Sequence, residues 1–174
     1  FECLELRLLR EPLQTTRVKI SMVLVINAQR AGDPQNWERL VSRHLEDYDR
    51  SDPNLCFSYA IHLHRAGVQS DEEAIHWADV ALENKQIWPA GPYSKNVFAL
   101  YRLRAEASQR LWESAARRYA EDDSRENRNM TNEYKSLAMS LAREWLDYAR
   151  ASNQNSEKAL HMCASAAGTI EACR

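Results

Sequence analysis

The stretch HRAGVQSDEEAIHWADVALENK, residues 64–85, holds a glycine break, a short polar turn and the start of a new helix. Within it Ala74, Ala78 and Ala81 recur at helical spacing, with Leu82 alongside. A buried helix face is usually lined by leucine or valine. Alanine there implies that a neighbouring backbone must come close, with bulkier side chains filling the space beside the seam. Ala159, Cys163 and Ala166 repeat the spacing near the end of the chain, cysteine standing in as a small apolar residue.

The rest of the composition agrees with helices. In 174 residues there are only four glycines and five prolines, too few for a sheet protein with many tight turns. Hydrophobic residues at 44% and charged residues at 28% belong to a folded domain or a short array of repeats. Net charge is -2, without the excess of base that a polyanion partner demands, so nucleic acid is not expected as a ligand. The basic residues, mostly arginines, lie within a helical turn of acids and are expected to form helix-surface ion pairs. The longest apolar run, MVLVI at 22–26, falls far short of a membrane span. The chain starts at Phe1, as expected of a processed form or an excised piece, and membrane contact is expected only through a partner or a preceding N-terminal segment.

Periodicity predicts helices over residues 13–31, from Trp37 to Tyr48, over 54–66, from Ser70 as N-cap to about 84, over 94–121 as one long helix or two nearly collinear ones, over 131–150, and from Ser156 as cap to 167. Residues 1–11 alternate briefly and fit either a short strand or a frayed helical turn. RSDPN at 50–54 is expected to stop a helix, QIWPAGPYS at 86–94 to be a loop, and EDDSRENRN at 121–129 to be a surface connection.

Gly32 and Gly67 stand one short repeat apart, each dividing a helix pair of similar length. With YAIHLHRAG followed by EEAIHWADVALE, the chain resembles a tetratricopeptide repeat (TPR) protein. Tyr59, Ala60 and Leu63 match that family's first helix, Gly67 its turn, and Ala74, Ala78 and Ala81 its second helix. The turn is longer than the family's. The preceding unit matches in period but carries Trp37 and His44 where the family prefers alanine, the 131–168 pair matches only in its second helix, and the long middle helix does not match. The resemblance implies an all-α, TPR-like α-α superhelix of antiparallel helix hairpins with one long middle helix, a single domain over 1–174 with units at about 13–50, 54–84, 94–121 and 131–168.

Chemical motifs are scarce. No phosphate-cradling glycine loop, nucleophile elbow or zinc-protease pattern is present. Glu73-Ala-Ile-His76 has the ExxH spacing of di-iron bundles but occurs once, so a surface pair is the expected reading. His62 and His64, two apart on a helix, cannot easily share a metal. Asn129-Met-Thr131 is formally a glycosylation sequon, meaningful only in a eukaryotic secretory setting. Neither catalytic residues, cofactor, metal nor small-molecule substrate is expected. None of Cys3, Cys56, Cys163 and Cys173 falls in a CxxC pair. Gly168 could turn the chain so that Cys173 meets Cys163, which would set the protein in a periplasmic or other extracytoplasmic compartment; free thiols throughout would suit a cytoplasmic adaptor.

The function expected is a non-enzymatic scaffold or adaptor that binds a protein or peptide partner, as part of a bacterial multiprotein assembly, cell-envelope if that disulfide forms. The TPR resemblance places the partner on the first helix of each pair. By position the groove residues are Lys19, Met22, Ile26, Gln29, Arg30, Asn54, Phe57, Ile61, His64 and Arg65. Ile26 and Ile61 stand where the family's carboxylate clamp has polar residues, which points to an apolar partner segment flanked by acids that meet Arg30 and Arg65. Alternatively both isoleucines are core. Trp88, in the loop, either plugs the array or presents an aromatic anchor. Two rivals remain, a purely structural subunit whose groove is filled and an enzyme with a bundle-core site.

Overall fold

The computed structural model describes residues 2–88, 94–154 and 156–168. Among these the chain is all-helical, without strands. Eight α-helices follow in order: α1 Glu2–Arg10, α2 Gln14–Ala31, α3 Pro34–Asp47, α4 Pro53–Ala66, α5 Asp71–Glu83, α6 Lys95–Glu121, α7 Arg125–Ala151 and α8 Glu157–Ala167. Short 3-10 turns occupy Val68–Ser70 and Lys85–Ile87.

Local chemistry sets most boundaries. Gly32 ends α2 at φ 66°, where its N–H reaches the carbonyls of Ala28 and Gln29. Gly67 ends α4 at φ 123°, a backbone that side-chain-bearing residues rarely adopt. Both Asp-Pro pairs turn out to be helix starts. Asp33 accepts from the Asn36 N–H and Asp52 from those of Asn54 and Leu55, each followed by proline in the first turn, where no N–H is needed. Ser94 and Ser124 cap α6 and α7 in the same way.

Of the two alternatives for the first residues the helical one holds: residues 2–10 form a helix, because Leu4 and Leu8, one turn apart, pack on the core. Three expectations are corrected. Ser70 and Ser156 make no side-chain cap; Ser70 instead ends the 3-10 turn, and three acids, Asp71, Glu72 and Glu73, occupy the first turn of α5. The polar run at 121–129 is a connection only over residues 122–124, since Ser124 starts α7 six residues before Met130. The sequon at Asn129 therefore lies inside a helix.

Each helix packs chiefly on its neighbours in the chain, and α4 touches α6, and α6 touches α8, across the helix between. The 27-residue helices α6 and α7 form the longest hairpin. Three buried clusters follow one another along the stack: a large one from Leu8 to Leu103, one of Ile75, Ala107, Leu111 and Leu141, and one of Ala105, Ala142, Trp145, Leu146, Ala159 and Cys163. Ala60, Ala74, Ala78 and Ala81 are wholly buried where α4 meets α5, and Tyr59 and Trp77 stand beside that seam with rings 6.0 Å apart. His44 is also wholly buried; burial lowers its pKa against the charges of Asp49 and Asp52, so it sits in the core as the neutral ring.

Many ion pairs join different helices, beyond the local pairs expected. Arg39 meets Glu5 (α3 to α1, 2.5 Å), and Arg104 of α6 meets both Asp79 of α5 and Glu144 of α7, at 2.6 and 2.7 Å. Only Arg43–Asp47 and Arg102–Glu106 have i,i+4 spacing among the pairs described.

The alanine seam is testable. Ala78→Leu forces extra volume between α4 and α5, with an expected loss of about 1–3 kcal/mol and a fall in Tm by several degrees. Thermal unfolding followed by circular dichroism measures it; an unchanged Tm would show that the seam has slack.

Candidate functional site

The turn between α2 and α3 leaves an open trough of about 610 Å³ between these helices and α4. The last turn of α2 contributes Gln29, the start of α3 contributes Asp33, Pro34 and Trp37, and α4 contributes Phe57, Ser58, Ile61, His62 and Arg65. Phe57, Ile61 and Trp37 are half-buried, each packed against the main core yet reaching the trough. Asp33 is there because it caps α3, and Pro34 follows from the same local rule. Trp37 packs edge-on to His62 at 5.1 Å and to Tyr59 at 6.3 Å, while His62 Nε2 lies 3.2 Å from Glu38. The wall is thus aromatic and aliphatic, with His62 and exposed Arg65 on the α4 side.

Four of the expected groove residues come together in this trough: Gln29, Phe57, Ile61 and Arg65. Lys19 and Arg30 are exposed on α2 but do not line it, and Met22 packs against the core. Ile26 is 38% exposed and Ile61 half-buried, so neither is sealed in the core. Asn54 is engaged, accepting from the Trp88 indole N–H at 2.6 Å. Trp88 itself is 5% exposed and meets Phe57 edge-on at 6.2 Å; it plugs the joint and presents no anchor. Trp37, Asp33 and Pro34 were missed by the sequence reading, although the Asp-Pro signal fixes where α3 begins and hence what its first turn delivers.

His64 is a correction of a different kind. Its ring belongs to an internal polar network. Nδ1 lies 3.0 Å from Asp71, whose side chain is fully buried, and Nε2 lies 3.7 Å from Glu106. Arg110 reaches the same Asp71 oxygen and donates to the His64 carbonyl at 2.7 Å. Its Nη2 also stands 2.5 Å from Nδ1, but with a proton on Nδ1 that nitrogen donates to Asp71 and cannot accept. Lys158 of α8 closes the network on Glu106. Hydrogen bonds to Asp71 and then Glu106 raise the His64 pKa, against burial and the Arg110 charge. Burial opposes ionisation of Glu106, yet the bonds from His64 and Lys158 and the charges of Lys158 and Arg102 prevail and draw its carboxyl down to about 2. The network links α4, α5, α6 and α8.

No group of three or more His, Cys, Asp or Glu side chains among the described residues is arranged to hold a metal ion. Glu73 and His76 have separate partners: Glu73 accepts from Tyr59 and Trp77, and His76 Nε2 lies 2.7 Å from Arg50. Cys3 and Cys56 are free; burial, with Asp52 and Asp49, pushes the Cys56 thiol up to about 12. Cys173 lies outside the described residues, and with it the proposed Cys163–Cys173 pairing. No helix among the described residues is long and apolar enough to cross a membrane. The chain matches no family model, and no curated protein and no solved structure matches it.

The histidine network has a pH signature. A raised folded-state pKa gives His64 a stabilising contribution that is complete below its ordinary value of 6.5 and is lost as pH rises through the folded value. His44, with a lowered pKa, acts with the opposite sign, so the His64 effect is read as a difference between variants. Wild type should exceed His64→Gln in Tm most at mildly acidic pH, and the gap should narrow as pH rises above neutrality. A gap independent of pH would show that His64 carries no extra proton in the folded state.

Proposed function

We propose that this chain is a non-enzymatic, TPR-like adaptor that binds a protein or peptide partner in the trough between α2, α3 and α4. The observation that carries the reading is the open, apolar trough with Trp37, Phe57 and Ile61 in its wall and Arg65 at its edge. An apolar segment entering it would shed water against these side chains, and an acidic flank would meet Arg65 and, further along α2, Arg30. A purely structural subunit would have this space filled by its own side chains, so the open trough favours the binder. The order of helix contacts supports the TPR-like reading in part: neighbours in the chain pack together, and α4 touches α6 and α6 touches α8 as first helices of successive hairpins would, while α2 and α4 make no comparable contact. The setting that suits it is a bacterial multiprotein assembly, in the cell envelope if Cys163 and Cys173 are joined.

A displayed peptide library supplies the probe. Selected peptides should share an apolar core with acidic flanks, and Arg30→Glu/Arg65→Glu should weaken the best of them by about tenfold or more, mainly through slower association at low salt. Far-UV circular dichroism should stay unchanged, since both arginines are exposed. Peptides that bind equally well after the charge reversal, or that leave Trp37 fluorescence unaltered, would place the partner elsewhere.

A further inference from the structure

We infer that α1 is a self-pairing element, through which two copies of this chain associate antiparallel about a two-fold axis at Leu6. The helix uses Leu4 and Leu8 to pack on the body of the protein, and Glu5 is held by Arg39. Its opposite side carries Leu6, 54% exposed, and Leu9, 63% exposed, beside the exposed thiol of Cys3. Leu13, just beyond the helix, is equally open. Among the exposed large hydrophobics described, Ile87 and Met139 are isolated, and the other close pair, Val23 and Ile26 on α2, is less exposed, at 45% and 38%.

Charge selects the occupant. Acids lie in the first turn of α1 and bases in the last. Of these, Glu2, Arg7 and Arg10 make no ion pair among the described residues, so they remain available. An antiparallel pair centred on Leu6 brings Glu2 level with Arg10 of the partner subunit, Cys3 with Leu9 of the partner subunit, and the two Leu6 side chains together. Each end then sets an acid against a base. A parallel pair would align acid with acid and base with base, which is unfavourable. The self-complementary order, acid, leucines, base, is what a two-fold isologous contact requires. A single nine-residue helix presents less than the roughly 1,200 Å² at which specific interfaces begin, so the association is weak and depends on concentration.

The test uses the 174-residue chain. Sedimentation velocity over a wide concentration range should show the mass rising toward twice the monomer, and Leu6→Glu/Leu9→Glu should hold it at the monomer with helicity unchanged. Glu2→Arg and Arg10→Glu should each weaken association several-fold, and the double variant should restore it. Trapping fixes the geometry. In a Cys3→Ser background, Leu6→Cys places two thiols on the axis and should form a linked dimer on mild oxidation. Leu9→Cys places them about 9 Å apart along the helices, beyond disulfide reach, and should link much less. A monomer at every concentration without preferential cross-linking would overturn the inference and leave the leucine face to another protein. Equal linking at both positions would overturn the antiparallel register.

Discussion

The architecture rests on close approach between helices, and alanine is what permits it. Ala74, Ala78 and Ala81 on α5 and Ala60 on α4 are all wholly buried in one core cluster, and side chains this small let neighbouring backbones come close. Close-packed interiors gain dispersion from such approach, and the rings of Tyr59 of α4 and Trp77 of α5 pack against each other in the same cluster. The same device returns between α7 and α8, with Ala142, Ala159 and Cys163 around Trp145. Had leucine filled these positions the helices would stand further apart, and the groove-bearing end of the stack would have a different width.

Polar chemistry locks what packing leaves free to slide. Asp71 is fully buried and compensated by His64 and Arg110, from the helices before and after its own. A buried carboxylate without those partners would be costly, so the arrangement selects one register of α4, α5 and α6 over its neighbours. Arg104 does the same between α5 and α7. This explains why His64 serves architecture while Ile61 and Arg65, three positions before it and one after on the same helix, reach the trough.

Two of the surfaces left among the described residues, after the core and these locks have taken what they need, are those proposed to take partners. One is concave, lined by Trp37, Phe57 and Ile61, and suits an incoming segment. The other is convex, a short helix with leucines outward and opposite charges at its ends. They lie on different elements and ask for different partners. An adaptor that joins a second copy through one and a client through the other would present its binding sites in pairs, and avidity would offset weak contacts at each.

Helix class, most boundaries and the small-residue seams were legible in the sequence because they depend on near neighbours. Period, glycine conformation and carboxylate caps act within one or two turns. The same locality let RSDPN mark the end of one helix and a new start near 54, where α4 begins at Pro53, whereas the equivalent Asp33-Pro34 start of α3 went unread in favour of Trp37. The all-helical character followed; the identity of the trough did not. Trp37 enters it, Trp88 is buried against Asn54, 34 positions away, and His64 is claimed by Arg110, 46 positions away. Those assignments turn on which distant side chains the folded backbone brings within hydrogen-bonding reach. Spacing along one helix tells which residues share a face, but only the neighbouring helices decide which of them are covered, which are bonded, and which are left open to a partner.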